Sequence, residues 1–280
     1  MSNSRLVGQF IIILVAATIS MIIALNRQHG NLDRSHSVST PNINQSVPVD
    51  PVALSLDVPT KEVSADTTTY KTTVAFQEYK PKYFQAAIDP SNYGDRYSVD
   101  LYGNPSNNEP IVVLHETTNS LTSAINTFRT PHGEDSRQVS YHALIALDGT
   151  IIYLVPSDKR AFGAGNSVFV SPQGAETVKT NPNLPSSVNN FAYHISLETP
   201  PDGRAQTNQS YHSGYTDSQY KSLAWLLALS SIPDDRITTH KDVDRSGQRF
   251  DPRSFDFDKF FQILHTYRQP TTNDVETSTK

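Results

Sequence analysis

The chain has 280 residues, 36% hydrophobic and 18% charged, so a core can form over part of this length while the rest stays solvated. A formal net charge of −5 leaves no basic excess to neutralise phosphates, which argues against nucleic acid as a partner. There is no cysteine, so disulfides, thiol nucleophiles, iron–sulfur clusters and cysteine-ligated zinc are excluded. Any transition metal must rest on His, Asp or Glu.

Leu6 to Leu25 is apolar apart from Gln9, Thr18 and Ser20, with Arg5 before it and Arg27 and Arg34 after it. At helical rise such a run spans about 30 Å, one bilayer core. Its best small residues, Ala16 and Ala17, fall inside the run, which favours an uncleaved N-terminal transmembrane anchor over a cleaved signal within residues 1–27. Residues 28–78 are rich in Ser, Thr and Pro, broken by Pro41, Pro48, Pro51 and Pro59, and read as a flexible linker. Residues 79–268 are domain-like, and 269–280 form a polar, disordered tail.

Within the domain, Pro110–His115 has the pattern of a short buried strand, and Ser120–Phe128 that of a helix with Leu121, Ala124, Ile125 and Phe128 on one face. Gln138–Ala146 and Thr150–Val155 flank Asp148-Gly149 as a hairpin. Phe191–Glu198 is a further strand. Asp217 caps a helix running to Ile232, with Tyr220, Leu223, Ala224 and Leu227 at helical spacing. Arg236–His240 is a strand and Asp256–Tyr267 a closing helix. Interleaved strands and helices with an antiparallel pair define an α/β class with a mixed sheet.

Metal-competent side chains fall at the ends of these elements. His115 ends one strand, His240 ends another, and Asp251 follows His240 after the loop KDVDRSGQRF. Two imidazoles and a carboxylate form a catalytic zinc set that leaves a fourth position open. They also suit non-haem iron, and histidines near a surface are commonly just hydrogen-bonded. The HExxH arrangement is absent, because Asn119 stands where its second histidine is required; a GxSxG elbow is absent too.

The segments IVVLHETTNS, VSYHALIALDGTIIYLVPSDKRAFGAGNS, NNFAYHISLE and ITTHKDVDRSGQRFDP, in that order over residues 111–261, resemble the zinc-dependent N-acetylmuramoyl-L-alanine amidases (type 2 amidases), which share their fold with peptidoglycan-recognition proteins. The resemblance implies a mixed central sheet flanked by helices, and Zn2+ on His115, His240 and Asp251, the last ahead of Pro252. Tyr141 matches a tyrosine that faces the zinc-bound water in several members. Arg249 matches a basic residue, often lysine, that steadies the oxyanion. Ser196 stands where some members carry a catalytic glutamate, leaving Glu198, on the same strand face, or Glu116 as general base. Gly163 stands where many members have histidine. His142 and His194 lie within strands, and alternation turns His142 away from Tyr141. His212 is expected in a turn or at the surface, His132 in a loop that could line a cleft, Asp242 beside His240, and Trp225 in the core.

The activity so implied is hydrolysis of the amide between N-acetylmuramic acid and L-alanine. The partners are peptidoglycan or muropeptides, with no nucleic acid, and the chain acts as a monomer. The expected location is the cell envelope on the periplasmic side, the chain being anchored in the membrane by its N-terminal helix or exported. The alternative is a non-catalytic peptidoglycan-binding module of the same fold.

Overall fold

The computed structural model describes residues 69–206 and 209–271. The expected membrane span at 1–27, most of the linker and most of the tail lie outside these residues. Among the described residues no helix is long and apolar enough to cross a membrane.

In chain order the elements are β1 (Tyr70–Thr72), α1 (Val74–Glu78), β2 (Tyr83–Gln85), β3 (Tyr93–Asp95), β4 (Ile111–Glu116), α2 (Leu121–Arg129), β5 (Ala143–Ile145) and β6 (Ile151–Tyr153). After these come β7 (Lys159–Ala161), β8 (Phe169–Ser171), β9 (Gly174–Glu176), β10 (Ala192–Leu197), α3 (Asp217–Ala228), β11 (Ile237–Thr239), α4 (His240–Val243), α5 (Phe257–Tyr267) and β12 (Arg268–Pro270). The central sheet has six strands in the order β11-β4-β10-β5-β6-β2. Neighbours from β11 to β5 run parallel, β5 and β6 form the expected antiparallel hairpin, and β2 closes the edge parallel to β6. The sheet is therefore mixed, as the sequence implied.

Strand alternation sorts the side chains onto two faces. On one, Val112, Leu114, Ile195 and Leu197 pack with α3 and α5 in the main core. Helix α3 starts on Thr216 rather than Asp217: the Thr216 hydroxyl accepts from Gln219 N while the Gln219 side chain accepts from Thr216 N, a reciprocal cap. Beyond the expected stripe, Trp225 and Leu226 are also buried, because the helix is covered by the sheet on one side and by α5 and α1 on the other. Trp225 stacks on Phe76 of α1 at 5.4 Å.

Two boundaries differ from expectation. Tyr70–Thr72, inside the expected linker, pairs antiparallel with Arg268–Pro270, which runs from the last residue of the expected domain into the expected tail. The fully buried Arg268 guanidinium lies 4.0 Å from the Tyr70 ring and donates to Asp234 at 2.7 Å. The strand expected over Gln138–Ala146 shortens to Ala143–Ile145, because the Ser140 hydroxyl donates to the Asn92 carbonyl and draws the preceding residues off the sheet. At the hairpin, Gly149 has φ +85°, and a Cβ there would meet the Ser218 carbonyl at 2.8 Å, so the turn requires glycine.

Candidate active site

The parallel strands β11, β4 and β10 bring their carboxyl ends together, the edge at which open α/β sheets place ligands. His115 is next to last in β4 and fully buried. His240 does not end a strand, as expected, but opens α4. The Thr239 hydroxyl donates to Asp242 Oδ2 at 2.7 Å and accepts from Asp242 N at 3.1 Å, which turns the chain into the helix there. Asp242 thus orders the His240 turn. Asp251 returns along the following loop, where its carbonyl accepts from Lys241 N at 3.0 Å.

These placements converge. His115 Nδ1 lies 3.3 Å and His240 Nδ1 3.2 Å from Asp251 Oδ2, and all three ligand atoms fall within 4.8 Å of one another. A tetrahedral site with metal–ligand distances of about 2.1 Å has edges of about 3.4 Å, so the donors fit zinc in spacing as well as chemistry. Burial favours a neutral His115, bringing its pKa down to about 4 against the opposing hydrogen bond to Asp251. Burial alone would raise the Asp251 carboxyl, but hydrogen bonds to His115 and His240 outweigh it and hold the group well below the usual carboxylate range. A neutral His115 beside an ionised Asp251 matches the protonation states a divalent cation requires.

A cleft of about 940 Å³ opens from this cluster, lined by Tyr141, His240, Arg249 and Asp251 and extending past Arg160 to Arg137. Tyr141 stacks on the His115 ring at 4.4 Å. Burial, with Asp251 nearby, pushes its phenol above the usual range, so it remains a hydrogen-bond donor. Arg249 is exposed on the cleft wall, close enough for its charge to oppose protonation of His115.

The two glutamates have other employment. Alternation turns Glu116 to the opposite face from His115. There its carboxylate is paired with Arg253, accepts from the Tyr215 hydroxyl at 3.0 Å and meets His212 Nε2 at 2.9 Å. Arg253 also donates to the carbonyls of Gly203 and Gln206, so this cluster fastens the loop after β10 to β4. Glu198 accepts from Leu121 N at 2.9 Å, Leu147 N at 3.1 Å and Arg204 at 2.8 Å, tying the start of α2 to the hairpin turn. Each oxygen of the two carboxylates already meets a hydrogen-bonding partner, Glu116 while also lining the cleft, which weighs against the general-base role expected of either from the sequence. His212 is buried in the Glu116 cluster rather than at the surface. His132 is held by Asn92 Oδ1 at 2.8 Å.

Arg253 and Tyr215 escaped the sequence reading, which placed His194 within a strand but gave it no partner. His194 lies among apolar strand residues and reaches His115 Nε2 with its Nδ1 at 2.9 Å. Its only sequence signal was a polar residue on a fully buried strand.

The architecture is thus an α/β domain with a His–His–Asp cation site at the carboxyl ends of parallel strands. Residues 106–254 match the family described as N-acetylmuramoyl-L-alanine amidase (Amidase_2), and the chain belongs to that family. It is 31% identical over 132 residues to the 1,6-anhydro-N-acetylmuramyl-L-alanine amidase AmpD of Enterobacter cloacae, covering 46% of this chain and 58% of that protein. Identity to the AmpD of Salmonella typhimurium is 30% over 131 residues, covering 45% and 58%. The chain therefore matches little more than half the length of these curated relatives. The crystal structure of a selenomethionine AmpD derivative aligns with TM-score 0.43 and 25% identity, covering 64% of this chain and 94% of that one.

Proposed function

We propose that this chain is a zinc-dependent N-acetylmuramoyl-L-alanine amidase that hydrolyses the amide joining N-acetylmuramic acid to L-alanine in peptidoglycan or muropeptides. The observation that carries this reading is the convergence of His115, His240 and Asp251, all inside the family-matched segment, at the floor of a cleft large enough for a sugar and several peptide residues.

His115, His240 and Asp251 would hold the ion. Bound zinc supplies Lewis acidity toward the scissile carbonyl and a lowered pKa for water. The chain's own groups do the rest. Arg249 contributes positive charge where the carbonyl oxygen becomes an oxyanion, and the Tyr141 phenol is a donor in the same region. The His115 ring stacks on Tyr141 and meets His240 edge-on, contacts that restrain its rotation. Arg137 and Arg160 farther along the cleft favour a substrate that carries carboxylates. The apolar run at Leu6–Leu25 supports placing this activity at the cell envelope.

The curated relatives are named for the 1,6-anhydro fragment, so the assay offers that muropeptide alongside intact peptidoglycan. Release of peptide with a free L-alanine amino terminus, abolished by a chelator and by His240→Ala, is the expected result. Binding without release points to the non-catalytic module, and chelator-insensitive release removes the metal from the account.

A further inference from the structure

The ligand His115 presents Nδ1 to the cation site, so its Nε2 must carry the ring proton when a metal is bound. Among the described residues that proton has one recipient within reach: His194 Nδ1, 2.9 Å away and on the neighbouring strand. His194 pairs with Val113 and Ser196 with His115 in the β4–β10 register, which puts His194 diagonally behind the ligand on the same face of the sheet. Its own position is fixed by the backbone, since His142 N donates to the His194 carbonyl at 2.8 Å and His194 N donates to His142 Nδ1 at 3.0 Å.

Two further observations show that this imidazole is held at some cost. The His194 side chain is fully buried and its Nε2 has no hydrogen-bond partner among the described residues, so an apolar side chain of the same volume would suit the sheet better. Across the site, a Cβ on Gly163 would lie 2.4 Å from His194 Cγ and Nδ1; only glycine at 163 leaves the ring its place. Metal-bound histidines as a rule donate their second ring N–H to a fixed acceptor, which sets the tautomer and aims the ligand lone pair.

We propose that His194 is the positioning residue of the metal site: it accepts the His115 Nε2 proton, locks the tautomer that turns Nδ1 to the cation, and is accommodated by Gly163. This rests on His115, His240 and Asp251 being the metal ligands. His194 itself touches neither ion nor substrate.

The test measures zinc affinity of the full chain by competition with a chromophoric chelator, together with the unfolding midpoint of the zinc-free protein. His194→Leu keeps the volume and removes the acceptor. It is expected to weaken zinc binding about 10- to 100-fold while leaving the zinc-free midpoint equal or higher. His194→Asn places an amide oxygen where Nδ1 was and should hold zinc within about threefold of the parent. Gly163→Ala should weaken zinc in the parent background and have no further effect on top of His194→Ala. Independently of any variant, 15N spectra of the zinc-loaded protein should show His115 protonated at Nε2 and His194 at Nε2 only. Parent-like zinc affinity in His194→Leu, or a proton on His194 Nδ1 in the loaded protein, overturns the inference and leaves the ligand assignment standing. A parent chain that binds no zinc overturns both.

Discussion

Glu116 shows how a residue's neighbours in sequence mislead about its work. It follows a metal ligand directly, yet the pleat sends it to the other face, into a pairing with Arg253, His212 and Tyr215. Removing one member of a buried ion pair strands the other, which typically costs about 3–5 kcal/mol. Glu116→Ala is therefore expected to lose about that much stability in urea unfolding, while the folded fraction keeps its zinc. Undiminished stability with lost turnover would restore Glu116 as a base. His142 contributes to the pH dependence of stability away from the metal site. Burial, reinforced by Arg96, lowers its pKa from the usual 6.5 to about 3, so it is neutral in the fold and takes up a proton only on unfolding. Below about pH 6.5 the unfolded chain binds the extra proton, and this contribution to stability is lost as pH falls toward 3, by about 1.4 kcal/mol per unit at most. Zinc-free His142→Gln should show a shallower loss of stability than the parent between pH 6 and 4.5; an identical slope would mean that His142 is protonated in the fold.

At the level of elements, β4, β10, α2, α3, α5 and the β5–β6 hairpin were legible in the sequence because their apolar periods, their caps and the Asp-Gly turn are local signals. The ends were less so. Thr239 and Thr216 cap where His240 and Asp217 had been assigned strand or cap positions, since a cap depends on which hydroxyl meets which N–H, and composition does not reveal that. The two imidazoles and Asp251 could be named from their element ends and from family resemblance, but that they meet is a property of β11 lying beside β4. His194 was not legible as a partner of His115: the register that places it behind the ligand joins residues 79 apart in sequence.

At the scale of the whole molecule, the chain closes on itself where β1 meets β12. Polar, Thr-rich sequence around Tyr70 gives no apolar period to announce a strand, so the domain was expected to begin at 79. Ahead of that point the described residues add Phe76 against Trp225 and Tyr70 over Arg268. Truncating a buried Phe alone costs about 3–5 kcal/mol. A chain beginning at 79 should thus unfold at least that much more readily than one beginning at 69, and equal urea midpoints for the two would show the β1–α1 segment to be dispensable. The arrangement also explains how few residues build the site. The sheet places the ends of β4 and β11 together, the Asp251 loop folds back onto α4, and the Glu116 and Glu198 carboxylates fasten the surrounding loops.

The metal site is the claim on which the functional account stands, and metal content reads it directly. Elemental analysis of the purified chain should find about one zinc per molecule, with little in His115→Ala, His240→Ala or Asp251→Ala variants that remain folded. Zinc retained at the parental level by all three folded variants would contradict the account.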